Sequence, residues 1–139
     1  MRAVIDTNIL ISGLVSKRTY PAKVLDLWIM NRFEPVISNE IVKEYSTVLV
    51  RDKFSCLGSV KERLDLLNKF LSLEHVIMAY PLQKADIIKD DPKDNIFLEC
   101  SIAGNCKFVV SGDQHLLRLK EYGDTRIVTA EEFVRMNVK

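Results

Sequence analysis

The apolar runs of this chain are short, and their brevity restricts its fold more than any other feature. Ala3-Val4-Ile5 and Phe108-Val109-Val110 are continuous apolar triplets, and residues 33–37 and 126–128 carry similar stretches. Unbroken runs of this length read as strands covered on both faces. Between them, apolar residues recur at helical spacing: Ile9, Leu10, Ile11 and Leu14; Val24, Leu25, Trp28 and Ile29; Ile41, Val42, Tyr45, Val48 and Leu49; then Val60, Leu64, Leu67 and Leu71; a further helix, opened by Asp91-Pro92, is read through Ile96, Leu98, Cys100, Ile102 and Ala103. Strands alternating with helices predict an α/β fold, with a parallel sheet, helices on both its faces and right-handed crossovers. At 139 residues the chain is expected to form one domain, 1–139.

Local signals place the element ends. Pro21 suits the first turn of the second helix, where its missing N–H is no loss. Ser38 is a good N-cap for the third helix. A break at 54–58, a short strand at 75–80 ended by Pro81, and Asp91-Pro92 as cap and first helical position follow. Gly104 can close the helix that begins there. Residues 114–119 read as a short helix, and Thr129 caps a last one, with Glu131 and Glu132 near its positive end.

Composition narrows the function. The net charge is +1, so any contact with nucleic acid must come from a local patch rather than a generally basic surface. No apolar run approaches the ~18 residues that span a bilayer. The chain starts directly on a strand pattern, Arg2-Ala3-Val4-Ile5, without the features of a signal peptide, and the expected location is cytoplasmic. The three cysteines, Cys56, Cys100 and Cys106, form no CxxC pair and suit neither a disulfide scaffold nor structural zinc. Cys100 falls in an apolar helical pattern and is expected in the core.

In a parallel sheet, ligands bind in the crevice beyond the carboxyl ends of the strands. Asp6 directly follows the first strand, and Asp113 follows Val110 after Ser111-Gly112. Glu44 and Asp94 lie on helices that can approach the same edge. Carboxylates gathered there repel one another, and each has a raised pKa unless something positive enters. Mg²⁺ or Mn²⁺ answers this need, since such hard ions take oxygen ligands and keep several waters. They polarise a phosphoryl oxygen and activate water, the requirements of phosphodiester hydrolysis. Each acid also has a plainer reading: Asp6 as a helix cap, Asp94 as a first-turn acid favouring the helix dipole, Asp113 as a turn residue. On a helical wheel, the centre of the third helix's apolar stripe lies about 100° from Glu44 and about 140° from Glu40. Glu44 therefore borders the buried face, while Glu40 points closer to solvent. Asn8 and Ser111 can orient carboxylates or a water from behind, or can serve as backbone caps.

Val4-Ile5-Asp6-Thr7-Asn8-Ile9-Leu10, Ile37-Ser38 followed by Glu44-Tyr45, Asp91-Pro92-Lys93-Asp94-Asn95, and Val110-Ser111-Gly112-Asp113 together resemble the four signatures of the PIN domain. The likeness covers nearly the whole chain, to Thr129-Ala130-Glu131-Glu132-Phe133. It implies a three-layer α/β/α fold around a parallel sheet of four or five strands. It also implies a Mg²⁺- or Mn²⁺-dependent endoribonuclease, similar to the VapC-type toxins of toxin–antitoxin pairs, whose products end in 5′-phosphate and 3′-hydroxyl. By the same resemblance, Asp6, Glu44, Asp94 and Asp113 are the catalytic acids. Asp6, Asp94 and Asp113 are the metal ligands, and Asn8 and Ser111 are the polar residues that accompany them. Glu40 stands as the alternative second acid. Homodimerisation is implied too, as is an antitoxin that places a basic side chain among the acids. Two features depart from the pattern. Glu44-Tyr45 stands where toxins often carry Glu-Leu, and the loop at 86–91 is longer than in the most compact toxins.

Arg118 and Lys120 follow Asp113 closely and are candidates to meet RNA phosphates, with Lys17, Arg18, Lys23 and His115 behind them. The competing reading is a catalytically idle PIN domain that binds RNA or protein. The presence of all four acids argues against it. Receiver domains need paired acids after the first strand and a late lysine. Haloacid-dehalogenase-type phosphatases need Asp-x-Asp, and here the second position is Asn8.

Overall fold

The computed structural model describes residues 1–82 and 95–137. In chain order these form β1 (Arg2–Ile5), α1 (Thr7–Val15), α2 (Tyr20–Ile29), β2 (Glu34–Ile37) and α3 (Asn39–Leu49). After a 3₁₀ segment, Asp52–Leu57, come α4 (Val60–Leu71), β3 (Ile77–Met78), α5 (Asn95–Ala103), β4 (Phe108–Val110) and α6 (Gln114–Leu119). The chain then forms β5 (Glu121–Tyr122), β6 (Thr125–Val128) and α7 (Ala130–Asn137).

The strands build one sheet in the order β3-β2-β1-β4-β6-β5, with helices flanking it. Five strands are parallel, in line with the expected sheet. The sixth, β5, is an antiparallel edge of two residues. Glu121-Tyr122 has no apolar run to announce it; the strand exists because Gly123, at φ 60°, turns the chain back onto β6.

The buried triplets take the inner positions, as continuous apolar runs require. Ala3, Val4, Ile5, Val109 and Val110 are at most 1% exposed, with Ile5 paired to Val110 and Val110 to Val128. The carboxyl ends of β1, β4 and β6 are therefore level. From β1 the chain builds β2 and β3 on one side, then returns to build β4 and β6 on the other. The strand order thus reverses between β1 and β4, and a parallel sheet opens its ligand crevice at such a switch point. Asp6 and Asp113 leave the sheet at this point.

Aromatic rings lock the helices to the sheet. Trp28 meets Phe33 and Phe70 edge-on, and Phe33 and Phe108 both meet Phe133 in the same way, with centroids 5.0–6.3 Å apart. Such pairs add about 0.5–1.5 kcal/mol each beyond the area they bury. The Trp28 indole N–H is satisfied by the Phe70 carbonyl at 3.1 Å.

Several sequence expectations shift in the structure. Ile29 and Ile102, read into the apolar patterns of α2 and α5, are exposed at the ends of their helices. The stripe read on α4 as Val60, Leu64, Leu67 and Leu71 is rotated: Val60 and Leu64 are exposed, and Arg63, Leu67 and Phe70 are buried. Arg63 is inside because its guanidinium donates to the carbonyls of Leu49, Arg51, Gly58 and Ser59. These close the turns between α3 and α4. Gly104 is not the left-handed closure of α5; Asn105 takes that role at φ 50°. Gly104 is instead a packing glycine, since a Cβ there would lie 2.6 Å from Cγ1 of Val36. Ser38 caps α3 and Thr129 caps α7 as expected, Thr129 through a reciprocal pair with Glu132. Asp91-Pro92 and the 86–91 loop lie outside the described residues. No helix among the described residues is long and apolar enough to cross a membrane.

Candidate active site

The Asp6 backbone continues the sheet for one residue and then starts a helix. Its N–H donates to the Val110 carbonyl at 3.0 Å, and its own carbonyl accepts from Ile9 and Leu10 at 3.0 and 3.2 Å. Asp6 thus occupies the N-cap position of α1 without a well-formed side-chain cap, although the Asn8 and Thr7 amides lie near enough to its carboxylate to favour the charged form. Its principal partner is Ser111, whose hydroxyl donates to Oδ2 at 2.6 Å.

Ser111 is fully buried and held by β6, its N–H donating to the Val128 carbonyl at 2.9 Å. Its Oγ also accepts the Asp113 N–H at 3.0 Å. An ionised carboxylate can only accept, so the Ser111 hydroxyl proton goes to Asp6 while a lone pair on the same oxygen takes the Asp113 N–H. Asp113 is half-buried and caps α6, with Oδ1 accepting the His115 N–H at 2.7 Å. Its plain reading as a cap is therefore true of Oδ1.

Asp6 is 3% exposed. Burial is the main reason its carboxyl is pushed up to about 6; the Ser111 hydroxyl and the Asn8 and Thr7 amides pull it down, and the Asp113 charge pushes it up. Among the described residues no basic side chain pairs with it. Beside it, the Thr7 hydroxyl is buried and has no hydrogen-bond partner among the described residues. A buried carboxylate short of positive charge and a second carboxylate within electrostatic reach offer oxygen donors only. That set fits a hard divalent cation.

The structure joins some expected site residues and not others. Asp6, Ser111 and Asp113 are brought together. Glu44 lies half-buried on α3 and Glu40 lies exposed, which matches their places on the helical wheel. No group of three His, Cys, Asp or Glu side chains is placed to hold a metal ion among the described residues. Asp94 lies outside them. Asn8 is exposed on the first turn of α1. Arg118, in the last turn of α6, and Lys120 are exposed; the Lys120 carbonyl accepts from Ile127, short of the strand end where Asp6 and Asp113 meet. Cys100 and Cys106 are core residues whose thiols burial pushes up to about 12, so they stay protonated.

Sequence reasoning missed two polar groups: the Thr7 hydroxyl and the phenol of Tyr45. Tyr45 was read only as part of an apolar stripe, and its hydroxyl donates to the Ile5 carbonyl. The available signal was that a buried tyrosine must place its O–H somewhere.

Comparison with known proteins decides the family. The sequence profile of the PIN domain matches residues 2–115. The chain belongs to the PIN domain family. PIN domains are generally nucleases. This PIN domain is 28% identical over 122 residues to the uncharacterized protein MJ1680 of Methanocaldococcus jannaschii, covering 87% of this chain and 76% of that protein. Its fold is similar to a chain in the crystal structure of VapBC2 from Rickettsia felis, bound to a DNA fragment from their promoter. The TM-score is 0.59 at 14% identity, covering 93% of this chain and 98% of that one.

Proposed function

We propose that this PIN domain is a Mg²⁺- or Mn²⁺-dependent endoribonuclease acting at the Asp6–Asp113 edge. The observation that carries the reading is the Asp6–Ser111–Asp113 arrangement. It is a buried carboxylate without a basic partner, aimed by a hydroxyl, beside a second carboxylate at the sheet's switch point. Asp6 and Asp113 hold the ion, with Asp94 as a third ligand and Glu44 completing the site. A divalent cation supplies charge neutralisation at the phosphoryl group and an activated water. Ser111 would orient the Asp6 carboxylate for such an ion through its hydroxyl. The fold likeness to a chain of a VapBC complex supports a further proposal, that the protein is the toxin of a toxin–antitoxin pair.

The test is cleavage of end-labelled RNA with Mn²⁺, Mg²⁺ or EDTA. Cleavage that needs the metal, yields 5′-phosphate products and disappears in Asp6→Asn and Asp113→Asn supports the reading. Full activity in both variants contradicts it. RNA binding without cleavage or metal uptake would identify an idle binding module. Growth arrest on expression, relieved by a small protein encoded beside the gene, tests the toxin assignment.

A further inference from the structure

Tyr45 is fully buried on α3, one residue after Glu44, and its hydroxyl donates to the carbonyl of Ile5, 40 residues earlier, at 2.5 Å. Ile5 is the last residue of β1. The peptide that joins it to Asp6 is therefore gripped at both polar atoms: the carbonyl by α3, and the Asp6 N–H by the Val110 carbonyl of β4 at 3.0 Å. A peptide unit is planar, so directional bonds at both polar atoms restrain the orientation from which the Asp6 side chain departs. Packing alone would hold α3 near the strand, but a hydrogen bond adds a direction. At 0% exposure the phenol itself is out of reach of a substrate phosphate.

We propose that Tyr45 is a positioning residue that clamps the Ile5–Asp6 peptide to α3, thereby fixing the Asp6 carboxylate relative to the helix that carries Glu44. The inference deepens the metal-dependent nuclease reading, and its consequences for metal and RNA rest on that reading. Its effect on the Asp6 backbone does not.

The variant is Tyr45→Phe, which keeps the ring and removes the hydroxyl. Val48→Ala, one turn along the same helix, controls for lost stability. Three measurements on each protein follow: amide hydrogen exchange without metal, Mn²⁺ affinity by calorimetry, and kcat and KM on RNA. The expected result for Tyr45→Phe is faster exchange concentrated at Asp6 relative to the other β1 and β4 amides. Mn²⁺ affinity and kcat fall about 10–100-fold, the usual loss when a partner behind a metal ligand is removed, with KM unchanged. Val48→Ala raises exchange uniformly and leaves Mn²⁺ affinity intact. Uniform exchange in Tyr45→Phe, or undiminished Mn²⁺ affinity and kcat, overturns the proposal. If the wild-type protein neither binds Mn²⁺ nor cleaves RNA, the nuclease reading fails, and the exchange pattern still decides whether Tyr45 clamps Asp6.

Discussion

The Ser111 hydroxyl donates to Oδ2 of Asp6 at 2.6 Å, joining residues 105 positions apart in a chain of 139. The bond depends on the pairing of β1 with β4, which sets Ile5 beside Val110 and so places the next residue of each strand at the same level. Because Ser111 Oγ also accepts the Asp113 N–H, one side chain ties together both acids of the switch point.

Ser111→Ala tests that tie. It removes a donor that lowers the Asp6 pKa, so the Asp6 midpoint should move above about 6. It also leaves the Asp113 N–H without its acceptor, at a loss of about 1–3 kcal/mol in stability. A pH titration of the Asp6 carboxyl by NMR and a urea melt read both effects. An Asp6 midpoint at or below the wild-type value would show that the serine does not support the charge.

Asp6 also links stability to pH with a definite sign. Its pKa is raised in the fold, from 3.8 to about 6, so between those values the native state binds more protons than the unfolded chain. Metal-free stability is therefore fullest below pH 3.8 for this group and falls as pH rises to about 6. By linkage the fall is about 3 kcal/mol. Asp6→Asn cannot ionise there. The metal-free variant should melt above wild type at pH 7.5, with the gap closing near pH 4, as thermal unfolding in EDTA across this range would reveal. A variant less stable than wild type at pH 7.5 would mean that the carboxylate is not held at a loss.

Much of this architecture is legible in the sequence, and for physical reasons. Ala3-Val4-Ile5 and Phe108-Val109-Val110 declare buried strands because a strand covered on both faces has no polar side to interrupt it. Asp6 and Asp113 are readable as edge residues because they follow those runs almost at once. Other features depend on partners far along the chain. The meeting of Asp6 with Ser111, in addition to its own helix start, is a matter of strand order. Arg63 looks like a surface charge until the carbonyls of Leu49 and Arg51 fold over it. β5 is made by the turn at Gly123 and not by its own composition. Tyr45 falls between the two classes, since its ring obeys the helical stripe but its hydroxyl answers to β1.

Arg63 offers a stability test separated from the site. Arg63 is 4% exposed, and its guanidinium satisfies carbonyls from four residues around the α3–α4 connection. Arg63→Met fills similar volume but abandons those acceptors, and hydrogen bonds from a charged donor contribute about 1.5–3 kcal/mol each at most. A loss of about 3 kcal/mol is expected, since water can reclaim part of the exposed turn. Chemical denaturation measures the loss, and Mn²⁺ affinity per folded molecule should stay unchanged. Arg63→Lys should recover little, because one ammonium cannot reach carbonyls on both sides of the turn.

Metal and proton compete for the same Asp6 oxygens. With a carboxyl midpoint at about 6, Mn²⁺ affinity should be nearly flat above pH 7 and should weaken about tenfold per pH unit below 6. Saturating Mn²⁺ stabilises the native state in proportion to the logarithm of its concentration over Kd. The rise in melting temperature on adding Mn²⁺ should therefore be full at pH 7.5 and shrink toward pH 5. Asp113→Asn removes the neighbouring charge that raises the Asp6 pKa, so the midpoint of this pH dependence should move down even as overall affinity falls. A downward shift would show that the two carboxylates are electrostatically coupled, whereas an unmoved midpoint would show that they are not.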